Sequence, residues 1–178
     1  LNNDGMIVRM SGAWISEGQA VAVSKALAAE LNIEDGKSFY EQATDPNVDI
    51  PSTFEEYFMK APDNYPRWGK LFSKIVVEYK RDGESEWDFI KRFMQYYEEF
   101  AKSGCVGEYY LKSYKLMDYE IVLLLSFAAC KNLTDVFLNE YNFPSDLLIK
   151  QKNAYWKFLE ARYCLSTLSQ SDPVYSTY

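Results

Sequence analysis

The chain has 178 residues, 48% of them hydrophobic and 17% aromatic, with 19 basic groups, 26 acidic groups and no histidine. Such a composition excludes a disordered chain, and the length suits one domain burying roughly 70% of its unfolded surface. The net charge of −7 argues against a surface that holds nucleic acid indiscriminately.

Without histidine, Ser-His-Asp and Cys-His nucleophile systems are excluded, as are zinc sites with histidine ligands. No GxxxxGK(S/T) or GxGxxG run supplies a phosphate cradle. The chain therefore reads as a non-enzyme, and neither cofactor nor metal site is expected. Cys105, Cys130 and Cys164 stand 25 and 34 residues apart with no CxxC pair. An odd, scattered set suits reduced thiols in the cytoplasm or another reducing intracellular compartment. The run Met6 to Met10 is too short for a secretory leader and lacks its flanking charges. Leu1 is no initiator, so a preceding segment is expected.

Residues 1–15 read as an arm or short strand, 16–168 as a helical domain and 169–178 as a surface tail. Ser16, with Gln19 three positions on, has the capping-box pattern that opens a helix. Val23, Leu27 and Leu31 follow its 3.6-residue period as a core stripe, and Ala20, Ala26 and Ala28 permit close helix approach. Asp35-Gly36 ends it. A helical turn follows over Ser38 to Ala43. Then TDPNVDIPS, with Pro46 and Pro51, forms a loop suited to flexibility or to contact.

Ser52 and Thr53, followed by Glu55 and Glu56, start a short helix ending near Lys60. Pro66 belongs in the first turn of the next helix, which runs to Arg81. Its core side is Trp68, Leu71, Phe72, Ile75, Val76 and Tyr79. Asp82-Gly83 stops it. Ser85, with Asp88, caps a helix to about Lys102 whose Phe89, Phe93, Tyr96, Tyr97 and Phe100 form a core stripe.

Residues 108–117 read as a short helix leading into the segment the fold surrounds, a buried helix over 119–131. From Ile121 to Cys130 only Ser126 interrupts the apolar side chains, and a helix apolar all round belongs inside. It is too short for a bilayer, which takes about 20 apolar residues, so no membrane association is expected. Thr134 as N-cap gives a brief helix to Tyr141. Ser145 caps a last long helix to about Leu168. The total is an all-α fold of seven to nine helices, without internal repeats.

Charge is uneven along this plan. Residues 1–59 carry 3 basic and 10 acidic groups, whereas residues 60–81 carry 6 basic and 2 acidic. Arg67, Lys70, Lys74 and Arg81 recur at helical spacing beside Tyr65, a row able to follow phosphates while the ring stacks on a base. The ordinary alternative is a solvated face paired with acids. Asp82, Glu84, Glu86 and Asp88 fail the calcium-loop spacing and suit a helix start instead. Glu55/Glu56 and Glu98/Glu99 are adjacent pairs that diverge on a helix, so neither forms a site alone. Tyr96, Tyr97, Tyr109, Tyr110 and Tyr114 suit packing more readily than a ligand pocket.

The expected role is a non-catalytic helical module that associates with a protein partner or with itself. The alternatives are a nucleic-acid-binding assembly subunit using residues 66–81, and a small-ligand binder or enzyme with a carboxylate and tyrosine pocket.

Overall fold

The computed structural model describes residues 9–10, 13–59, 61–102, 115–116 and 118–143. Along them run β1 (Arg9–Met10), α1 (Ala13–Glu30), α2 (Phe39–Ala43), α3 (Phe54–Phe58), α4 (Asn64–Tyr79), α5 (Glu86–Lys102), β2 (Lys115–Leu116), α6 (Asp118–Ala129) and α7 (Thr134–Asn139). The fold is all-α. Among the described residues the one extended pairing is parallel, Arg9 with Lys115 and Met10 with Leu116. Lys115 and Leu116 are therefore strand, not the end of a 108–117 helix. Residues 108–114, the helix expected over 146–168, the tail, Cys105 and Cys164 lie outside the described residues.

Three helix starts follow from local sequence. Each has a hydroxyl side chain accepting from the amide three residues on, while the acid there accepts from the cap's own amide. Ser38 with Glu41 opens α2, Thr53 with Glu56 opens α3, and Ser85 with Asp88 opens α5. α7 differs: Thr134 is its first helical residue, not the cap. Asn132 does the capping, accepting from the Thr134 amide at 2.9 Å and from its hydroxyl at 2.6 Å. At the far end of α4, Gly83 takes the turn at φ +80°, where no other residue sits without strain.

The most extensive packing is α1 on α4, followed by α2 on α4 and α5 on α6. Two glycines allow the α1–α4 approach. A Cβ on Gly18 would lie 2.7 Å from the Trp68 carbonyl oxygen, and one on Gly69 would lie 2.8 Å from Val21 Cγ1. α1 begins at Ala13, one turn ahead of the Ser16 pattern. Its buried side is Trp14, Ile15, Gly18, Ala22 and Ala26. Of the stripe expected to be core, half-buried Val23 packs against the core, whereas Leu27 and Leu31 face out, 47% and 61% exposed. At Gly18, beside the Trp68 backbone, there is no room for a side chain, and Val21 fits against α4 at Gly69.

α6 is the buried helix the sequence announces. Every residue from Ile121 to Ala128 is buried, each large apolar side chain contributing about 1.5–3 kcal/mol. Burial stops short of Cys130, which is exposed and sits at φ +51° as the helix reverses. The Lys131 amide reaches back to Ser126 O and the Cys130 amide to Phe127 O, both at 3.1 Å, closing a Schellman end. Ser126, the polar interruption, is buried and satisfied. Its hydroxyl donates to Val122 O at 2.7 Å and accepts from the Leu133 amide at 3.1 Å.

An aromatic knot joins α1, α3 and α7. Trp14 meets Tyr57, Phe137 and Phe143 edge to face at 5.8–6.0 Å, and the Tyr57 hydroxyl donates to Tyr141 O. Burial holds the Tyr57 and Tyr141 phenols protonated well above their ordinary range.

Gly18→Ala is expected to lower stability by about 1–3 kcal/mol in urea unfolding, although alanine gains about 1 kcal/mol of helix propensity. Gly69→Ala should cost less, because it presses on a valine side chain and not on backbone. Ser126→Ala strands the buried Leu133 amide and should cost about 1–3 kcal/mol in the same assay.

Candidate functional site

Two members of the basic row, Arg67 and Lys70, face α3 and the α2–α3 connection, where Glu56 and backbone carbonyls receive them. Arg67 pairs with Glu56 and donates to Ile50 O at 3.1 Å and Asp49 O at 3.4 Å. The Lys70 ammonium donates to the carbonyls of Asp45 and Val48, each at 2.6 Å. From the other side, Lys37 reaches the Asp45 carboxylate at 2.6 Å. The proline-rich stretch is thereby pinned at Asp45, Val48, Asp49 and Ile50, a different state from the flexible loop its composition suggests. Cationic donors suit this task, since charge-assisted hydrogen bonds are about twice as strong as neutral ones.

The remaining members of the row are dispersed. Lys74 pairs with Glu78 one turn on. Arg81 lies beyond the end of α4, where its guanidinium donates to Cys130 Sγ at 2.7 Å and its Nε stands 4.0 Å from Glu84. The Tyr65 ring packs against Trp68, with centroids 5.4 Å apart, and the Trp68 indole N–H donates to Glu56 O. Arg67 and Lys70 thus converge on one loop, Lys74 stays on its own helix, and Arg81 belongs to the junction of α4, α5 and α6.

Two acids at the start of α5, Glu84 and Asp88, have structural partners. Arg92 holds Glu84 through two hydrogen bonds of 2.6 and 2.9 Å and donates to Ala128 O at 2.7 Å, satisfying a terminal carbonyl of α6. That guanidinium keeps the Glu84 carboxyl below the usual carboxylate range. The hydrogen bond from Ser85 does the same for Asp88. Among the described residues no three of Cys, Asp and Glu gather where they would hold a metal ion, and no helix is long and apolar enough to cross a membrane.

What stands out at the surface is apolar. Leu27, Leu31 and Ile33 at the end of α1, Tyr40 on α2, and Phe54 and Met59 around α3 are exposed. Periodicity alone read two of them as core. The signal that separates the faces of α1 is the row of small residues Gly18, Ala22 and Ala26, one turn apart.

No protein-family model, curated protein or solved structure matches the chain. The functional reading rests on its own residues.

Glu56 gives a titration test of the pinned loop. Arg67, with help from the Ser52 amide and hydroxyl, lowers its carboxyl from 4.5 to about 2. A lowered folded-state value means stability that is full above the unfolded value of 4.5 and is lost as pH falls through about 2. The group is partly exposed, so the contribution is on the order of 1–2 kcal/mol. Glu56→Gln should show that deficit in urea unfolding at neutral pH, and the gap to the parent should close between pH 4.5 and about 2.

Proposed function

We propose that the chain is a non-catalytic helical module whose role is to bind protein, a partner or further copies of itself. The observation that carries this reading is the set of large apolar side chains left exposed on fixed backbone: Leu27, Leu31, Ile33, Tyr40, Phe54 and Met59. Apolar anchors on an ordered scaffold bind without first paying to order a loop, which favours protein association. The titratable groups described above support the reading too, since they cap helices, close turns or pin the α2–α3 connection.

The nucleic-acid alternative depends on Arg67, Lys70, Lys74 and Arg81 leaving the acids, carbonyls and thiol they now contact. Each exchange of an internal partner for a phosphate subtracts from the gain, and the chain as a whole is acidic.

The chain recovered gently from its own cells should elute on a sizing column above its 20.7 kDa mass, in fixed ratio with a second polypeptide or with itself. Light scattering reads this directly. A bare monomer at every concentration contradicts the reading. So does co-eluting nucleic acid that is shed in high salt and lost with Lys70→Glu.

A further inference from the structure

The outward face of α1 has heptad spacing. Ala20, Ser24, Leu27 and Leu31 are all exposed and stand 4, 3 and 4 residues apart. That alternation is the a/d seam of a two-helix coiled coil, with the larger side chains in its second half. Small Ala20 and Ser24 let a partner backbone come close, and the Ser24 hydroxyl is already satisfied by Val21 O at 3.1 Å. Glu30 takes the flanking g position, where coiled coils place the charge that selects the opposing helix, although its Oε1 already accepts from the Trp87 indole N–H on α5.

The turn after α1 extends this face. Asn32 at φ +53° reverses the chain, and the Ile33 amide returns to Ala28 O at 2.9 Å. Gly36 then lies so close to α1 that a Cβ would stand 2.3 Å from the Ala29 amide nitrogen. Ile33 is thereby held at the end of the Leu27–Leu31 row, 56% exposed, and Glu34 and Asp35 follow it into solvent. The neighbouring Lys37 is held mainly by Asp45, with a smaller attraction to Asp35, and Glu34 carries its charge beside them.

Resting on the protein-binding reading, we propose that this face docks one basic amphipathic helix of a partner protein. The partner would set apolar residues at a and d against Leu27, Leu31 and Ile33, with Lys or Arg beside them facing Glu30, Glu34 and Asp35. Charge selects the occupant. An isologous pairing of two copies brings together chains that each carry −7, and when its two-fold axis passes through the Leu27–Ile33 row it sets Glu34 and Asp35 near their own equivalents. A basic helix converts the same groups into attraction and into faster encounter.

The test uses the full chain and a labelled three-heptad peptide with Leu at a and d and Lys at e and g. A second peptide has Glu in place of Lys. Fluorescence anisotropy should show saturable one-to-one binding of the Lys peptide, with the Glu peptide weaker by about tenfold or more. Leu27→Ser/Leu31→Ser should weaken the Lys peptide by a similar factor while leaving Tm unchanged, and Glu34→Lys/Asp35→Lys should weaken it as well. Equal binding to parent and serine variant overturns the proposal. A fall in Tm of more than about 5 °C in that variant also overturns it, because the face is then covered by the chain itself. So does a parent dimer that the serine variant abolishes. If the serine variant still carries a stoichiometric natural partner, the protein-binding reading stands and this docking site falls.

Discussion

The contact between α1 and α4 through Gly18 and Gly69 is the constraint on which the rest depends. A methyl group at either position collides with the opposite helix, at 2.7 Å from backbone in one case and 2.8 Å from a side chain in the other. Closeness has two consequences. It sets Trp68 against the backbone of α1, fully buried, with its indole tied to Glu56 O. It also leaves no space for a side chain at Gly18 and admits Val21 only against Gly69, while Leu27 and Leu31 lie on the outer side of the helix.

From the same helix, Arg67 and Lys70 reach the α2–α3 connection. Between them they meet Glu56 and four backbone carbonyls, while Lys37 closes over Asp45. Ordering a residue's backbone costs about 1–2 kcal/mol, and a loop with two prolines and few apolar side chains has little burial to offset that. Charged hydrogen bonds supply what burial does not. Two cations of the basic segment, Arg67 and Lys70, thus meet part of the acidic segment in one internal junction.

The helical class, the α6 burial and most helix starts were legible because each has a local cause. The apolar run at 121–129 has no polar side to turn outward, and Ser38, Thr53 and Ser85 each carry an acid three residues on. Other features were hidden because they depend on distant partners. Val23, Leu27 and Leu31 have the period of a core stripe, yet Gly18, Ala22 and Ala26 are buried on the same helix while Leu27 and Leu31 face out. Cys130 belongs to the apolar run by type, but it falls on the residue that reverses the backbone at φ +51°. The strand at Lys115–Leu116 exists because Arg9–Met10 pairs with it across about a hundred residues, a partner no window can see. For the basic row, spacing showed a shared face, whereas the carbonyls of Asp45, Val48, Asp49 and Ile50 that receive it appear only in three dimensions.

One apolar helix, α6, is sealed, while the outer side of another, α1, stands open. Hydroxyl-radical footprinting of the full chain, read residue by residue by mass spectrometry, tests both halves in one experiment. Heavy oxidation is expected at Leu27, Leu31 and Ile33 and almost none at Leu123, Leu124 and Leu125. Protection of the first three as complete as that of the α6 leucines would contradict this arrangement.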